Sequence, residues 1–159
     1  MRIPGYGWFF VCLSMTMFIA GKVQAQQVDD WLKQADTLFT KGQTAEAKAL
    51  HEKILQIYPD CFESNVWLGN YHYLKGDARL HEIEADYKRI DGPSRMQTAR
   101  YQEQQKTIYA DYYSKADVYL KKALQIRKNE HLQQLTDAIE TYRVRIGLVA
   151  PAVRKRLKK

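Results

Sequence analysis

Residues 30–77 read DWLKQADTLFTKGQTAEAKALHEKILQIYPDCFESNVWLGNYHYLKGD, and within them Lys41-Gly42-Gln43 recurs as Lys75-Gly76-Asp77, 34 residues later. Each copy follows a helix-like stretch, Asp30 to Thr40 and Glu63 to Leu74. In the first, Trp31, Leu32, Ala35, Leu38 and Phe39 recur at helical spacing and give one apolar face. A Lys-Gly pair after such a run reads as a helix stop, because glycine takes the left-handed conformation at low steric cost. Asp29 or Asp30 is expected to cap the first helix and Thr44 the second. The apolar side of that second helix is Ala45, Ala47, Leu50, Ile54, Leu55 and Ile57, and Pro59-Asp60 stops it. A helix-turn-helix unit at this period stacks on copies of itself, so the expected fold is all-α with turns at both Gly42 and Gly76.

The residues resemble the tetratricopeptide family, whose pattern is W-x2-L-G-x2-Y, then A-x3-F, then P. In the first unit Trp31, Ala47 and Pro59 fall on the tryptophan, alanine and proline positions, while Gln34, Ala35, Leu38 and His51 depart from it. In the second, Leu68 and Gly69 match, Asn65 stands for the tryptophan and His72 for the tyrosine, with Trp67 nearby to restore lost volume. The resemblance covers residues 28–77 and implies a tetratricopeptide-like α-α superhelix of about two repeats.

Beyond Gly76 the pattern breaks. The small residue due at position 81 is His81, and a suitable partner helix follows only from Ala116 through Leu120, Ala123, Leu124 and Ile126. About one repeat length is therefore inserted. Leu80, Ile83, Tyr87 and Ile90 read as a short helix, Asp91-Gly92-Pro93 breaks it, and Ser94 caps a long helix from Arg95 to about Arg127. The expected organisation is repeat one at 28–61, repeat two at 62–77 plus 112–128, and an inserted hairpin at 78–111. A capping helix at 129–147 closes a domain spanning 26–150.

Residues 1–25 have the form of a secretory signal. Arg2 precedes the thirteen apolar residues Trp8 to Ala20, and Val23-Gln24-Ala25 supplies a cleavage site. Thirteen helical residues rise only about 20 Å against a hydrocarbon core of about 30 Å, which disfavours the alternative of an uncleaved anchor. Export to a bacterial periplasm or cell envelope is the expectation. Cleavage leaves Cys61 as the lone cysteine, which excludes an internal disulfide. The formal charge of +7 is terminal: without Arg2, Lys22 and the five cations of 151–159, 18 basic residues face 18 acidic ones. A neutral body gives no reason to expect nucleic acid as a partner, and only the tail Arg154–Lys159 offers weak contact with a membrane surface or polyanion.

No catalytic constellation stands out. His81-Glu82 opens like a zinc-protease helix, but position 85 is Ala85, so the second ligand is missing. No metal, no cofactor and no catalytic residue are expected; a small metal-dependent hydrolase is the weaker alternative. The leading expectation is a non-enzymatic scaffold or assembly factor that binds another protein or peptide. The resemblance implies a concave groove lined by Leu32, Asp36 and Phe39, by Val66, Asn70 and Tyr73, and by Leu135, Ile139 and Tyr142. Tyr101, Ile108, Tyr112 and Tyr119 form one stripe along the long helix with Tyr109 and Tyr113 beside it, and the tyrosines Tyr101, Tyr109 and Tyr113 are a second candidate partner surface.

Overall fold

The computed structural model describes residues 26–148, and the expected signal segment and basic tail lie outside them. The fold is all-α and helical-repeat-like; the described residues contain no strand. We label the helices α1 (26–40), α2 (Thr44–Ile57), α3 (Phe62–Lys88), α4 (Arg95–Ile108), α5 (Ser114–Ile126) and α6 (Glu130–Arg145). A π-helical turn, Tyr109–Tyr113, joins α4 to α5 without a break. The chain divides into two compact units at Ile54/Leu55.

In the first unit α1 turns sharply into α2. Gly42 has φ of 78°, its N–H donates to Phe39 O at 2.9 Å, and Gln43 N–H donates to Leu38 O at 2.9 Å. These paired bonds form a Schellman cap, which needs the left-handed residue that glycine supplies. Gln43 O accepts from Ala47 N–H, so α2 opens one residue before the expected cap Thr44. Asp29 and Asp30 lie inside α1 rather than capping it, because helix is already present at residue 26. Ala35, Ala47, His51 and Ile54 are buried, and Lys53 Nζ sits 4.6 Å from the centre of the Trp31 ring.

The second unit corrects the reading of the second glycine. There is no turn at Lys75-Gly76-Asp77: α3 runs unbroken for 27 residues, about 40 Å. The short helix expected around 80–90 is the continuation of α3. Leu80 and Ile83, which follow Gly76, are both buried in the core with Ile108, Tyr113, Leu120, Ile139 and Tyr142. Burying two such side chains stabilises by about 3–6 kcal/mol, against about 1 kcal/mol for glycine inside a helix. Continuing the helix therefore wins.

The long helix from Arg95 pairs antiparallel with α3. Ser94 opens it with a capping box, its hydroxyl accepting from Gln97 N–H while Gln97 Oε1 accepts from Ser94 N–H at 2.8 Å. Near the hairpin end, Tyr87 and Tyr101 stack with ring centres 4.2 Å apart, and Tyr87 Oη lies 3.0 Å from Thr98 Oγ1. Close approach lower down depends on small residues. A Cβ on Gly69 would meet Leu120 Cδ2 at 2.6 Å; one on Gly76 would meet Tyr112 Cβ at 3.0 Å and the Tyr113 ring at 3.3 Å. The wider π turn lets two successive residues, Tyr112 and Tyr113, both reach Gly76.

Asn65, at the position of the family's tryptophan, is buried and donates to Pro59 O at 3.0 Å and Cys61 O at 2.8 Å. It fastens the turn into α3. Trp67 does not take over the missing indole's place in the core; it is half-buried and stacks on Tyr71. α6 is capped by Asn129, whose side chain accepts from Leu132 N–H at 3.1 Å. It ends in a second Schellman turn at Gly147, with Leu148 N–H donating to Arg143 O.

Candidate functional site

Because α3 continues through Gly76, Tyr73, Asp77 and Leu80 fall at i, i+4 and i+7 on one helical stripe. On α6, Ala138, Thr141, Tyr142 and Arg145 form the matching stripe. Between them, with Tyr113 of the π turn, lies an open groove of about 300 Å³ lined by these eight residues. Its floor is aromatic. The Tyr113 and Tyr142 ring centres are 5.0 Å apart, and Tyr73 meets Tyr113 edge-on at 5.6 Å. Both geometries are favourable for aromatic quadrupoles. Tyr142 Oη donates to Gln105 O at 3.4 Å, and the Arg145 guanidinium lies 4.9 Å from the Tyr142 ring centre.

Burial raises the pKa of all three hydroxyls above the ordinary tyrosine value of 10. It pushes Tyr142 up to about 12, with Arg145 pulling the other way. It also raises Tyr113 and Tyr73, and the Asp77 carboxylate adds to both shifts. The groove thus sets an aromatic floor between one carboxylate and one guanidinium, an assortment suited to recognition.

The expected groove residues are divided between the two units. In the first, Leu32 is half-buried, Asp36 is exposed and Phe39 is 53% exposed. In the second, Tyr73 and Tyr142 line the groove, while Val66 and Leu135 pack against the core and Asn70 is half-buried. Ile139 is a correction: at 1% exposure it is a core residue and offers nothing to a partner.

The expected second partner surface is also divided. Tyr101 spends one ring face on Tyr87, and Tyr109 is half-buried against the core. Tyr113, expected on the second partner surface, is the buried floor of the groove. A smaller cavity of about 270 Å³ lies along the hairpin between Ile83, Tyr87, Ile90, Arg100 and Tyr101. His72 and His81 do not converge: His72 is buried and stacks on Tyr119, whereas His81 is exposed beside Asp77.

Sequence reasoning missed Asp77, Leu80, Ala138, Thr141 and Arg145. The first two were hidden by the turn expected at Gly76. The last three were recoverable, since Ala138, Thr141 and Arg145 share a helical face with Tyr142.

No protein-family model matches the chain, and no curated protein matches it. Among solved structures, it is similar to a crystal structure from Bacteroides ovatus described as a "putative protein binding protein". The two share 31% sequence identity with a TM-score of 0.72 over 76% of this chain. This chain spans only 58% of the length of that one.

Proposed function

We propose that this protein is an exported, non-enzymatic interaction module of the tetratricopeptide type, which holds an extended segment of a partner protein in the α3–α6 groove. The observation that carries the reading is the groove itself: a floor of three packed tyrosine rings flanked by Asp77 and Arg145. The similar Bacteroides ovatus structure, described in terms of protein binding, supports an interaction role. The spaced Trp31, Ala47, Pro59, Leu68 and Gly69 support the family, and the pattern of residues 1–25 supports export to the cell envelope. The half-buried Tyr73 ring offers a partner contact area at low conformational cost, while the buried Tyr113 and Tyr142 shape the floor beside it.

The test is a photoreactive residue placed at Thr141, an exposed groove position, in the full chain expressed in cells. We expect one dominant crosslinked protein. Ala138→Trp, which fills the groove from an exposed position, should abolish that crosslink while leaving the helical circular-dichroism signal unchanged. An undiminished crosslink in the folded Ala138→Trp chain would remove the groove from consideration.

A further inference from the structure

The two walls of the α3–α6 groove carry opposite charge. Asp77 stands on the α3 wall, and its described ionic contact is His81 Nε2 at 3.5 Å, a pair with 42% and 74% of the side chains exposed. Exposed pairs of this kind contribute little. Arg145 stands on the α6 wall, over the Tyr142 ring, with no carboxylate at ion-pair distance among the described residues. Although both border one groove, Asp77 and Arg145 do not pair with each other.

The tyrosines between them register both fields. Asp77 raises Tyr113 and Arg145 lowers it, so the two charges act on one hydroxyl from opposite walls. Tyr73 feels Asp77, and Tyr142 feels Arg145 with the Glu84 carboxylate acting more weakly against it. A carboxylate beside a tyrosine ring favours an ammonium or guanidinium group. A guanidinium held over a ring favours a carboxylate, which it can hold through two parallel bonds. A volume of about 300 Å³ is at the lower end for ligand pockets, room for side chains of a peptide.

We propose that the groove selects a partner segment in which a lysine or arginine lies close to an aspartate or glutamate, the cation seated against Asp77 and Tyr73 and the carboxylate on Arg145. This rests on the groove being the binding surface. The chain's own tail fits only half of the pattern, since residues 149–159 contain five Lys and Arg side chains and no Asp or Glu. A site with paired opposite charges also reads direction, because reversing the segment sets like against like.

The test uses the purified full chain and an array of nonapeptides carrying one Lys and one Glu at varied spacing, in both orders. Matched peptides carry Lys alone, Glu alone or Gln at both places. We expect one order and spacing to bind at least tenfold more tightly than the Gln/Gln version. The double variant Asp77→Lys/Arg145→Glu should prefer the opposite order. Equal binding of neutral peptides, or an unchanged order preference in the double variant, overturns the proposal. So does a Lys-only peptide that binds as well as the paired one, which is the behaviour expected if the occupant is the chain's own tail. Absence of binding to every peptide counts against it too. Ala138→Trp separates this from the groove assignment. If it removes binding that shows no charge preference, the groove stands and the charge pairing falls; if binding survives it in a folded chain, the groove itself falls.

Discussion

Gly42 and Gly76 sit in nearly the same tripeptide and do opposite things. Gly42 is exposed, takes φ of 78° and has nothing within 4 Å of the place a Cβ would occupy. It supplies a backbone conformation. Gly76 is buried in mid-helix, and its missing Cβ leaves room for Tyr112 and Tyr113. It supplies space. The difference lies in the residues downstream of each glycine. Continuing α1 past Gly42 would place Ala45, Glu46 and Ala49 on its buried stripe, with no large apolar side chain to bury. Continuing α3 past Gly76 buries Leu80 and Ile83. A lysine-glycine pair thus permits a turn, and the downstream apolar pattern decides whether one forms.

The sharpest way to break this comparison is a proline directly after each glycine. Asp77→Pro enters the interior of α3, removing a helical hydrogen bond and clashing with the preceding turn, so we expect a loss of about 3 kcal/mol or more. Gln43→Pro lies just past a helix end, where proline is common, and forfeits mainly the N–H bond to Leu38 O, about 1 kcal/mol. Urea unfolding of the two variants reads the difference. If Asp77→Pro were the milder change, Gly76 would be a turn after all.

The same contrast explains how much was legible beforehand. The first hairpin was, because the run from Trp31 to Phe39, the stop at Gly42 and the run from Ala47 to Ile57 agree with one another. The start of the long helix was too, since Ser94 and Gln97 form a local capping box whose bonds depend on nothing distant. Gly76 was not, because its helix is held by contacts with Tyr112 and Tyr113, more than thirty residues away. That one misread turn concealed the groove. It cut Tyr73 from Asp77 and Leu80, and it assigned Tyr113 to a different surface from Tyr73 and Tyr142, which the fold brings together. The π turn that delivers Tyr113 has no sequence signature of its own; YADYY reads equally well as ordinary helix.

The turn at Gly42 can be tested through a buried histidine. Folding α2 back on α1 leaves His51 2% exposed and within reach of the Asp36 charge. Burial drives its pKa down to about 4 from an ordinary 6.5, with Asp36 opposing. The unfolded chain therefore takes up a proton below pH 6.5, while the folded chain does so only near pH 4. Stability is retained above pH 6.5 and lost as pH falls across that window. Between pH 7 and 4.5 we expect the wild type to lose about 2 kcal/mol more than His51→Leu, whose side chain cannot titrate. Equal losses would mean that His51 is not enclosed by the first hairpin.

Alanine at each glycine sharpens the comparison most finely, and Gly76→Ala has the smallest expected effect. Gly42→Ala forces a Cβ into the left-handed region and should cost about 1–2 kcal/mol although no atom stands in its way. Gly76→Ala gains about 1 kcal/mol of helix propensity but presses on Tyr112 Cβ at 3.0 Å. That atom lies next to the backbone of the π turn and cannot rotate aside, so strain of about 1–2 kcal/mol offsets the gain. The net change should fall between zero and about 1 kcal/mol of destabilisation. Thermal unfolding of the two variants separates conformation from space. Because Tyr113 Cε2 and Cζ are 3.3 Å from the same point, Gly76→Ala should also disturb the floor of the groove. It should therefore weaken peptide binding more than its effect on stability accounts for, whereas Gly42→Ala should not.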